Sequence, residues 1–270
     1  MFTNAIVRPP GANYAEGLTT MDLGVPDHAR ALQQHEAYCE TLEQCGLTLT
    51  RVEVDERYPD STFVEDAAVM MRTPARRQTS ALATSDTRAI LTRPGAFSRA
   101  GEVESMAEVL SRFCPELDSI KEPGTLDGGD VCEVEDRFFI GISQRTNEAG
   151  AQQLAAWLAS HGFASSFVDI RGLKNILHLK SGLTYLGDNR LVVIDALADH
   201  DEFRAHDLVR VTAGEEYAAN CLRVNDRVLV AAGYPGFEGT LRELGYQTIA
   251  LEMTEFQKMD GGLSCLSLRF

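Results

Sequence analysis

"DVCEVEDRFFIGISQRTNEAGAQQLAAWLASHGFASSFVDI", residues 130–170, contains one whole structural unit. Two short apolar runs, "DVCEVE" and "EDRFFIGIS", meet at an acidic turn, the pattern of a β-hairpin. From Glu148 the apolar residues recur at helical spacing until the glycine stop at Gly162, and "SSFVDI" follows as a third strand-like run. The unit is strand, strand, helix, strand.

The same grammar recurs along the chain. A short strand opened by a polar turn stands at "TNAIVRPPG" from Thr3, "DTRAILTRPG" from residue 86, "EDRFFIGIS" from Glu135, "DNRLVVIDA" from Asp188 and "NDRVLVAAG" from Asn225. A further strand-like run precedes four of them: "AAVMMRT" at Ala67, "DVCEVE" at Asp130, "LTYLG" at Leu183 and "ANCLRV" at Ala219. Helical stretches start at Pro26, Gly101, Glu148 and Gly236, while around "DHDEFRAH" the fourth unit is too short for a clear helix. "YQTIALEM" after the last helix is again β-rich. Five such units use up all 270 residues with no Ser/Pro/Gly-rich hinge, so the expected architecture is α/β, one domain over residues 1–270, with pseudo-fivefold symmetry. In such a ring, groups far apart in sequence converge on the axis.

Composition narrows the function. Lys plus Arg total 25 against 40 Asp plus Glu, a net charge of −15, and no basic run could track a phosphate backbone, so nucleic acid is not an expected partner. No apolar stretch approaches the ~20 residues of a membrane helix, and "MFTNAIVRPPG" lacks the basic start and apolar core of a signal peptide. The expectation is a cytoplasmic protein that does not contact a membrane. Cys39, Cys45, Cys114, Cys132, Cys221 and Cys265 include no CxxC pair, which argues against a disulfide framework or a zinc cluster and for free thiols.

Several stretches could carry chemistry. "TLDGGDV" (125–131) and "MDGGLSC" (259–265) share an Asp-Gly-Gly step, where glycine lets a neighbouring chain or ligand come close. If equivalent, both would face the axis; on the residues alone they are as readily two unrelated turns. His178 interrupts an apolar alternation in "ILHLKSGLTYL". A lone histidine there is more often a core residue than a catalyst, yet a cysteine, a histidine and a carboxylate on separate repeats are the set a thiol nucleophile requires. In "YPDSTFVEDAAV" (58–69), Glu65 and Asp66 enter a strand where it becomes buried. Buried carboxylates need partners, and with no His or Cys at ligand spacing a guanidinium or amine suits them better than a metal. Cys265 itself falls in a strand-like stretch that closes the chain.

Taken in order, "DSTFVEDAAV", "TRPGAFSR", "TLDGGDV", "RTNEAGAQQL", "LHLKSGLTYL", "YAANC" and "DGGLSCLSLRF" resemble the dimethylarginine dimethylaminohydrolases of the guanidino-group-modifying (amidinotransferase) superfamily. The resemblance runs from "AIVRPPG" to the last residue and implies the five-bladed α/β propeller called the pentein fold, built of ββαβ units. It implies a hydrolase acting on C–N bonds of linear amidines, which converts Nω-methylated L-arginine to L-citrulline and a methylamine without metal or organic cofactor. By motif, Cys265 is the implied nucleophile, His178 the general acid/base, and Asp127 the carboxylate supporting His178 and the substrate. Asp60, Glu65 and Asp66 are the implied substrate-binding acids and Phe63 an apolar wall. Arg99 and Arg145 would hold the substrate α-carboxylate, Leu18 a flap, and Met259 would offer a backbone carbonyl to the substrate amine. Two positions depart from the family: Asp127 stands where several bacterial relatives carry Glu, and Phe97 replaces a proline, which puts the placement of Arg99 in question.

Two alternatives remain: arginine deiminase-type hydrolysis of unmethylated arginine, and a non-catalytic ring-shaped binding protein of the same fold. The first usually carries a further helical insertion for which this chain has no room, and the second needs no Cys, His and acid set. A homodimer is compatible with the resemblance, and the sequence does not set the oligomeric state.

Overall fold

The computed structural model describes residues 1–72, 87–114, 116–174 and 176–270. Its strands fall into five three-stranded sheets, each with a middle strand antiparallel to one neighbour and parallel to the other. In the first sheet β1 (Asn4–Val7) lies parallel to β2 (Thr48–Arg51), with α1 (His28–Gln44) between them in sequence. The second holds β3 (Ala68–Arg72), β4 (Thr87–Leu91), α2 (Glu102–Leu110) and β5 (Leu117–Ser119). Residues 130–170 form the third: β6 (Val131–Val134), β7 (Arg137–Ile142), α3 (Glu148–Ser160) and β8 (Ala164–Asp169). The fourth comprises β9 (Leu183–Gly187), β10 (Arg190–Val193) and β11 (Asp207–Arg210), and the fifth β12 (Leu222–Val224), β13 (Arg227–Ala231), α4 (Pro235–Glu243) and β14 (Gln247–Leu251). A short helix, α5 (Thr254–Gln257), and β15 (Leu268–Arg269) end the chain.

The middle strands match the five strands read from the sequence, and the local chemistry explains why. Glu135, Asp188, Asn189 and Asn225 hold positive φ in the three described tight turns, a conformation that Asn and Asp tolerate best. The turn expected between β3 and β4 lies outside the described residues. In α3, Asn147 caps the N-terminus by accepting from Gly150 N at 2.8 Å, and Ala151, Leu154 and Leu158 form its buried face. Phe138, Ile140 and Phe163 join that face in one apolar cluster. In the fourth unit, the crossover over 195–203 consists of two 3-10 turns, Asp195–Leu197 and Asp201–Phe203, in place of a helix. Fully buried Phe203 stacks edge-on against Phe139 at 5.0 Å and supplies the apolar contact a helix would otherwise make.

Two expectations about the C-terminus need correction. Cys265 does not sit in a strand: it occupies a 3-10 turn, Ser264–Leu266, and the strand beyond spans two residues. Nor does that strand complete the last unit; it pairs antiparallel with β1, so the chain's end closes the first sheet. The reason is topological, since the first unit alone lacks a preceding strand and the final segment fills the place.

A 3-10 turn leads into each of the five innermost strands: Val64–Ala67 before β3, Gly128–Asp130 before β6, Leu179–Ser181 before β9, Glu216–Ala219 before β12 and Ser264–Leu266 before β15. These axial turns are laced to one another. Asp66 Oδ1 accepts from Gly129 N at 2.8 Å, Asp130 Oδ1 from Leu179 N at 2.9 Å, and Asn220 Oδ1 from Ser264 N at 2.9 Å. Asn220 Nδ2 donates to Lys180 O at 3.0 Å, and Ser264 Oγ donates to Glu65 Oε2 at 2.7 Å. The ring of turns is thereby closed by hydrogen bonds from turn to turn, each formed by buried groups that must find partners.

Candidate active site

Consecutive residues of these turns face opposite ends of the axis. Asp66 and Cys265 line a small cleft on one side, whereas Glu65 and Ser264 line a cavity of about 1140 Å3 on the other. Nine of the eleven residues picked out in the sequence border the cleft: Leu18, Asp60, Phe63, Asp66, Arg99, Arg145, His178, Met259 and Cys265. Leu177, Asp260 and Gly261 complete it; Asp260 and Gly261 belong to the second Asp-Gly-Gly step, while Leu177 carries no signal in the sequence beyond adjacency to His178.

Asp127 and Glu65 are placed differently. Asp127 is fully buried behind the histidine, with Oδ2 3.0 Å from His178 Nε2 and Oδ1 accepting from Gly95 N at 2.8 Å. Both oxygens are engaged, and the residue stands behind His178 rather than on the cleft surface. Glu65 accepts from Lys180 Nζ at 2.6 Å and Ser264 Oγ at 2.7 Å, with Arg269 Nη2 at 3.4 Å. Its carboxylate is neutralised within the floor and turned away from the cleft, because alternate residues of a tight turn point apart.

Gly129 explains why the histidine fits. A Cβ there would lie 2.8 Å from both Cγ and Nδ1 of His178 and 2.9 Å from Asp66 Oδ1, so the backbone itself forms the bed for the imidazole. Gly129→Ala is expected to lower the activity of a site that uses His178 by at least about tenfold through displacement of that ring. Steady-state rates alongside a thermal melt check it, and unchanged kinetics would refute the contact's importance.

The two Asp-Gly-Gly steps are not equivalent. Asp127 adjoins its axial turn, whereas Asp260 lies one short loop earlier, adopts φ +58° and accepts from Thr20 N at 2.5 Å and Thr20 Oγ1 at 2.9 Å. Both bonds tether the segment that carries Leu18. Leu18 N also donates to Asp60, at 3.1 Å to each oxygen, and Thr19 Oγ1 donates to Lys258 O at 2.8 Å. The flap therefore lies across the cleft mouth, held at Asp60 on one side and at Lys258 and Asp260 on the other.

Arg99 is in place despite Phe97, whose ring is 96% exposed and leaves the turn undisturbed. Its guanidinium is committed to Asp66 Oδ2 at 2.6 Å and to Glu102 at 2.8 Å, with Asp60 O and Phe63 O as further acceptors. As a buried hub it orients the Asp66 carboxylate of the cleft and is itself anchored by Glu102. Arg145 makes no comparable side-chain commitment among the described bonds, which leaves it the freer cation for an anionic group. Glu102 and Asp130 were not visible in the sequence as site residues. Asp130 accepts from Ser143 Oγ and Thr146 Oγ1, both at 2.6 Å, and Thr146 Oγ1 accepts in turn from Asp127 N at 3.1 Å, a scaffold beneath the His–Asp pair.

The electrostatics follow from this geometry. Burial alone would drive His178 towards its neutral form, but the carboxylates of Asp66, Asp127 and Asp130 outweigh it and raise the imidazole to about 9. Asp66 is pushed up by burial and pulled down more strongly by His178 and Arg99, so it stays ionised. Cys265 goes the other way: burial, then the charges of Glu65 and Asp66, raise its thiol to about 12. At neutral pH the site pairs an imidazolium with a neutral thiol. Asp66, Asp127 and His178 are the one group among the described residues spaced for a metal ion, their ligand atoms lying within 4.8 Å of one another. A protonated imidazole offers no lone pair, and the carboxylates are already engaged, so the cluster works as an ion pair.

Comparison with known proteins adds independent findings. A family profile described as arginine deiminase matches residues 112–229. The chain is 43% identical to N(G),N(G)-dimethylarginine dimethylaminohydrolase of Pseudomonas aeruginosa, with 100% of both chains covered. Identity to the Streptomyces coelicolor protein of the same name is 35%, over 98% of this chain and 96% of that one. The structure superposes on a cysteine-to-serine mutant of the Pseudomonas aeruginosa enzyme complexed with citrulline, with TM-score 0.91, 42% identity and full coverage of both chains. It also superposes on the N-terminal domain of a cyanobacterial arginine dihydrolase at TM-score 0.84, 17% identity and 100% and 97% coverage, which is a likeness of fold alone.

Proposed function

The chain belongs to the dimethylarginine dimethylaminohydrolase family, and we propose that it hydrolyses Nω,Nω-dimethyl-L-arginine, and Nω-methyl-L-arginine, to L-citrulline and the corresponding methylamine through a covalent intermediate on Cys265. The observation that carries this reading is the convergence of a thiol, an imidazolium backed by a carboxylate, and two further carboxylates on one cleft.

A guanidinium is a weak electrophile because its charge is delocalised. Asp66 accepts hydrogen bonds from its nitrogens and holds the central carbon near Cys265, while Asp60 closes the acidic side beneath the flap and Phe63 excludes water. Arg145 binds the α-carboxylate and the Met259 carbonyl the α-amine. Before substrate binds, the thiol is neutral because burial, and after it the charges of Glu65 and Asp66, disfavour the thiolate. An incoming substrate cation reverses that local field, and the thiol proton leaves to solvent as the sulfur becomes a thiolate.

The thiolate adds to the carbon, and His178, as imidazolium, protonates the departing dimethylamine nitrogen as its C–N bond breaks. This leaves an S-alkylthiouronium and a neutral His178. A water then gives one proton to His178 and its oxygen to the same carbon; as the C–S bond breaks, the remaining hydroxyl proton passes to solvent, the ureido carbonyl of citrulline forms and the thiolate is restored. Asp127 keeps the imidazole oriented throughout and stabilises its protonated form before and after the transfers.

Incubation with asymmetric dimethylarginine and, separately, with arginine, followed by citrulline measurement across pH, tests this reading. Citrulline is expected from the methylated substrate. The rate falls as pH rises through about 9, because His178 then loses the proton it donates. Citrulline from arginine alone would favour the deiminase alternative, and none from either would favour the non-catalytic ring.

A further inference from the structure

The fourth axial turn, Glu216–Ala219, sends no side chain into the cleft, yet the residue that ends it spends its whole amide on the two turns that carry the proposed nucleophile and acid. Asn220 is 5% exposed. Its Oδ1 accepts from Ser264 N at 2.9 Å, and its Nδ2 donates to Lys180 O at 3.0 Å and to Ser264 Oγ at 3.2 Å. Ser264 adjoins Cys265, and Lys180 lies two residues beyond His178.

Packing confines the amide further. A Cβ on Gly262 would lie 2.5 Å from Asn220 Cγ, so the chain leading to Cys265 lies flat against it. Thr184 Oγ1 fixes the backbone on either side by donating to Ala219 O at 2.9 Å and Cys221 O at 3.3 Å. The side chain cannot swing away from either turn.

We propose that Asn220 is a positioning residue for the hydrolysis: it clamps the Cys265 turn to the His178 turn and sets their separation without touching substrate. The inference rests on the roles proposed above for Cys265 and His178. Attack at the guanidinium carbon and protonation of its leaving nitrogen need both groups at fixed places about one substrate, and displacement on the order of 1 Å is enough to cost about 100-fold. The chemistry of the clamp is also specific. A carboxamide is the short side chain that offers a planar acceptor and donor together; Asp accepts only, and Gln is longer by a methylene.

The test compares Asn220→Ala and Asn220→Asp with wild type, with rates normalised to Cys265 titrated by iodoacetamide. Per titrated site, kcat is expected to fall about 100-fold in Asn220→Ala and about tenfold in Asn220→Asp, which keeps the acceptor. KM should stay within about threefold, because Asp60, Arg145 and the flap make no contact with Asn220; a general loss of structure would move KM and the titratable fraction instead. Gly262→Ala supplies a second readout: it should cost about tenfold or more in wild type, where its Cβ meets the amide at 2.5 Å from Cγ and 2.7 Å from Oδ1, and clearly less in Asn220→Ala, where only the Cβ at 3.0 Å remains. Should Asn220→Ala fail to fold, the isosteric Asn220→Asp decides alone. Wild-type-like kcat in the 220 variants, or equal costs of Gly262→Ala in both backgrounds, would overturn the proposal. Wild-type activity that survives stoichiometric alkylation of Cys265 would instead overturn the assignment of the nucleophile.

Discussion

Cys265→Ser is expected to abolish citrulline formation from dimethylarginine, with a loss of about 10,000-fold or more, and to leave a folded protein that still binds its substrate. The serine hydroxyl has nearly the thiol's shape, and the side chain sits half-buried on a turn whose position is set by Ser264, Asn220 and Glu65 rather than by sulfur. The expected change in stability is therefore within about 1 kcal/mol. Nucleophilicity is another matter. Even the native thiol is raised to about 12, and in the proposed mechanism it depends on the substrate cation for its ionisation. A hydroxyl, several units weaker as an acid, gains too little from the same field, and His178 cannot help as a base because it is already protonated. Citrulline release, a thermal melt and calorimetric titration with dimethylarginine together check the prediction. Turnover within tenfold of wild type would remove Cys265 from the mechanism.

Truncation after Ser267 should be nearly as damaging while leaving every proposed catalytic residue in the chain. Leu268 and Arg269 form the innermost strand of the first sheet, with Ile6 opposite Leu268 and Ala5 opposite Arg269, and Phe270 follows directly. Thr3 N and Asn4 N both donate to Phe270 O at 2.9 Å, and Phe270 N donates to Asn4 O at 3.0 Å. Leu268 and Phe270 are almost fully buried, and the Phe270 ring meets Phe113 edge-on at 4.9 Å. Those two side chains alone represent roughly 3–6 kcal/mol of burial. Against a total stability of about 5–15 kcal/mol, that is a large share. Arg269 adds a second effect: it donates to Ser264 O at 3.2 Å and Ser267 O at 2.8 Å, so its loss loosens the nucleophile's turn directly. A fall in melting temperature of roughly 10 °C or more is expected, with activity lost in parallel. A truncated protein with the melting temperature and rate of the full chain would show that the ring does not need its last strand.

The strand repeats were legible because each depends on residues adjacent in sequence. "VEDR", "GDNR" and "VNDR" put Asn, Asp or Glu where a tight turn demands positive φ, and the middle strands after them are apolar on both faces because both are covered. The absence of a full helix in the fourth unit was equally visible in "DHDEFRAH". The axial turns were not. Three-residue 3-10 segments have no periodicity to detect, and their order around the axis depends on hydrogen bonds between residues 40 to 200 positions apart.

Motif resemblance identified the cleft's chemical groups but could not say which way each one points. Glu65 and Asp66 are neighbours in sequence and sit on opposite faces of the floor. Asp127 and Asp260 begin the same Asp-Gly-Gly phrase, and one supports an imidazole while the other tethers a flap. Asn220 lay within a recognised motif, "YAANC", with no role attached.

By itself, then, the sequence determined the repeated unit, its number and the inventory of thiol, imidazole and carboxylates, because turn preference and apolar spacing act over a few residues. Only the tertiary structure decided that the chain's end closes the first sheet, that Asp127 lies buried behind His178, and that burial, with Glu65 and Asp66 behind it, raises the Cys265 thiol. Those outcomes depend on direction and distance between turns brought together by closure of the ring, where charges act across a few ångströms of buried space.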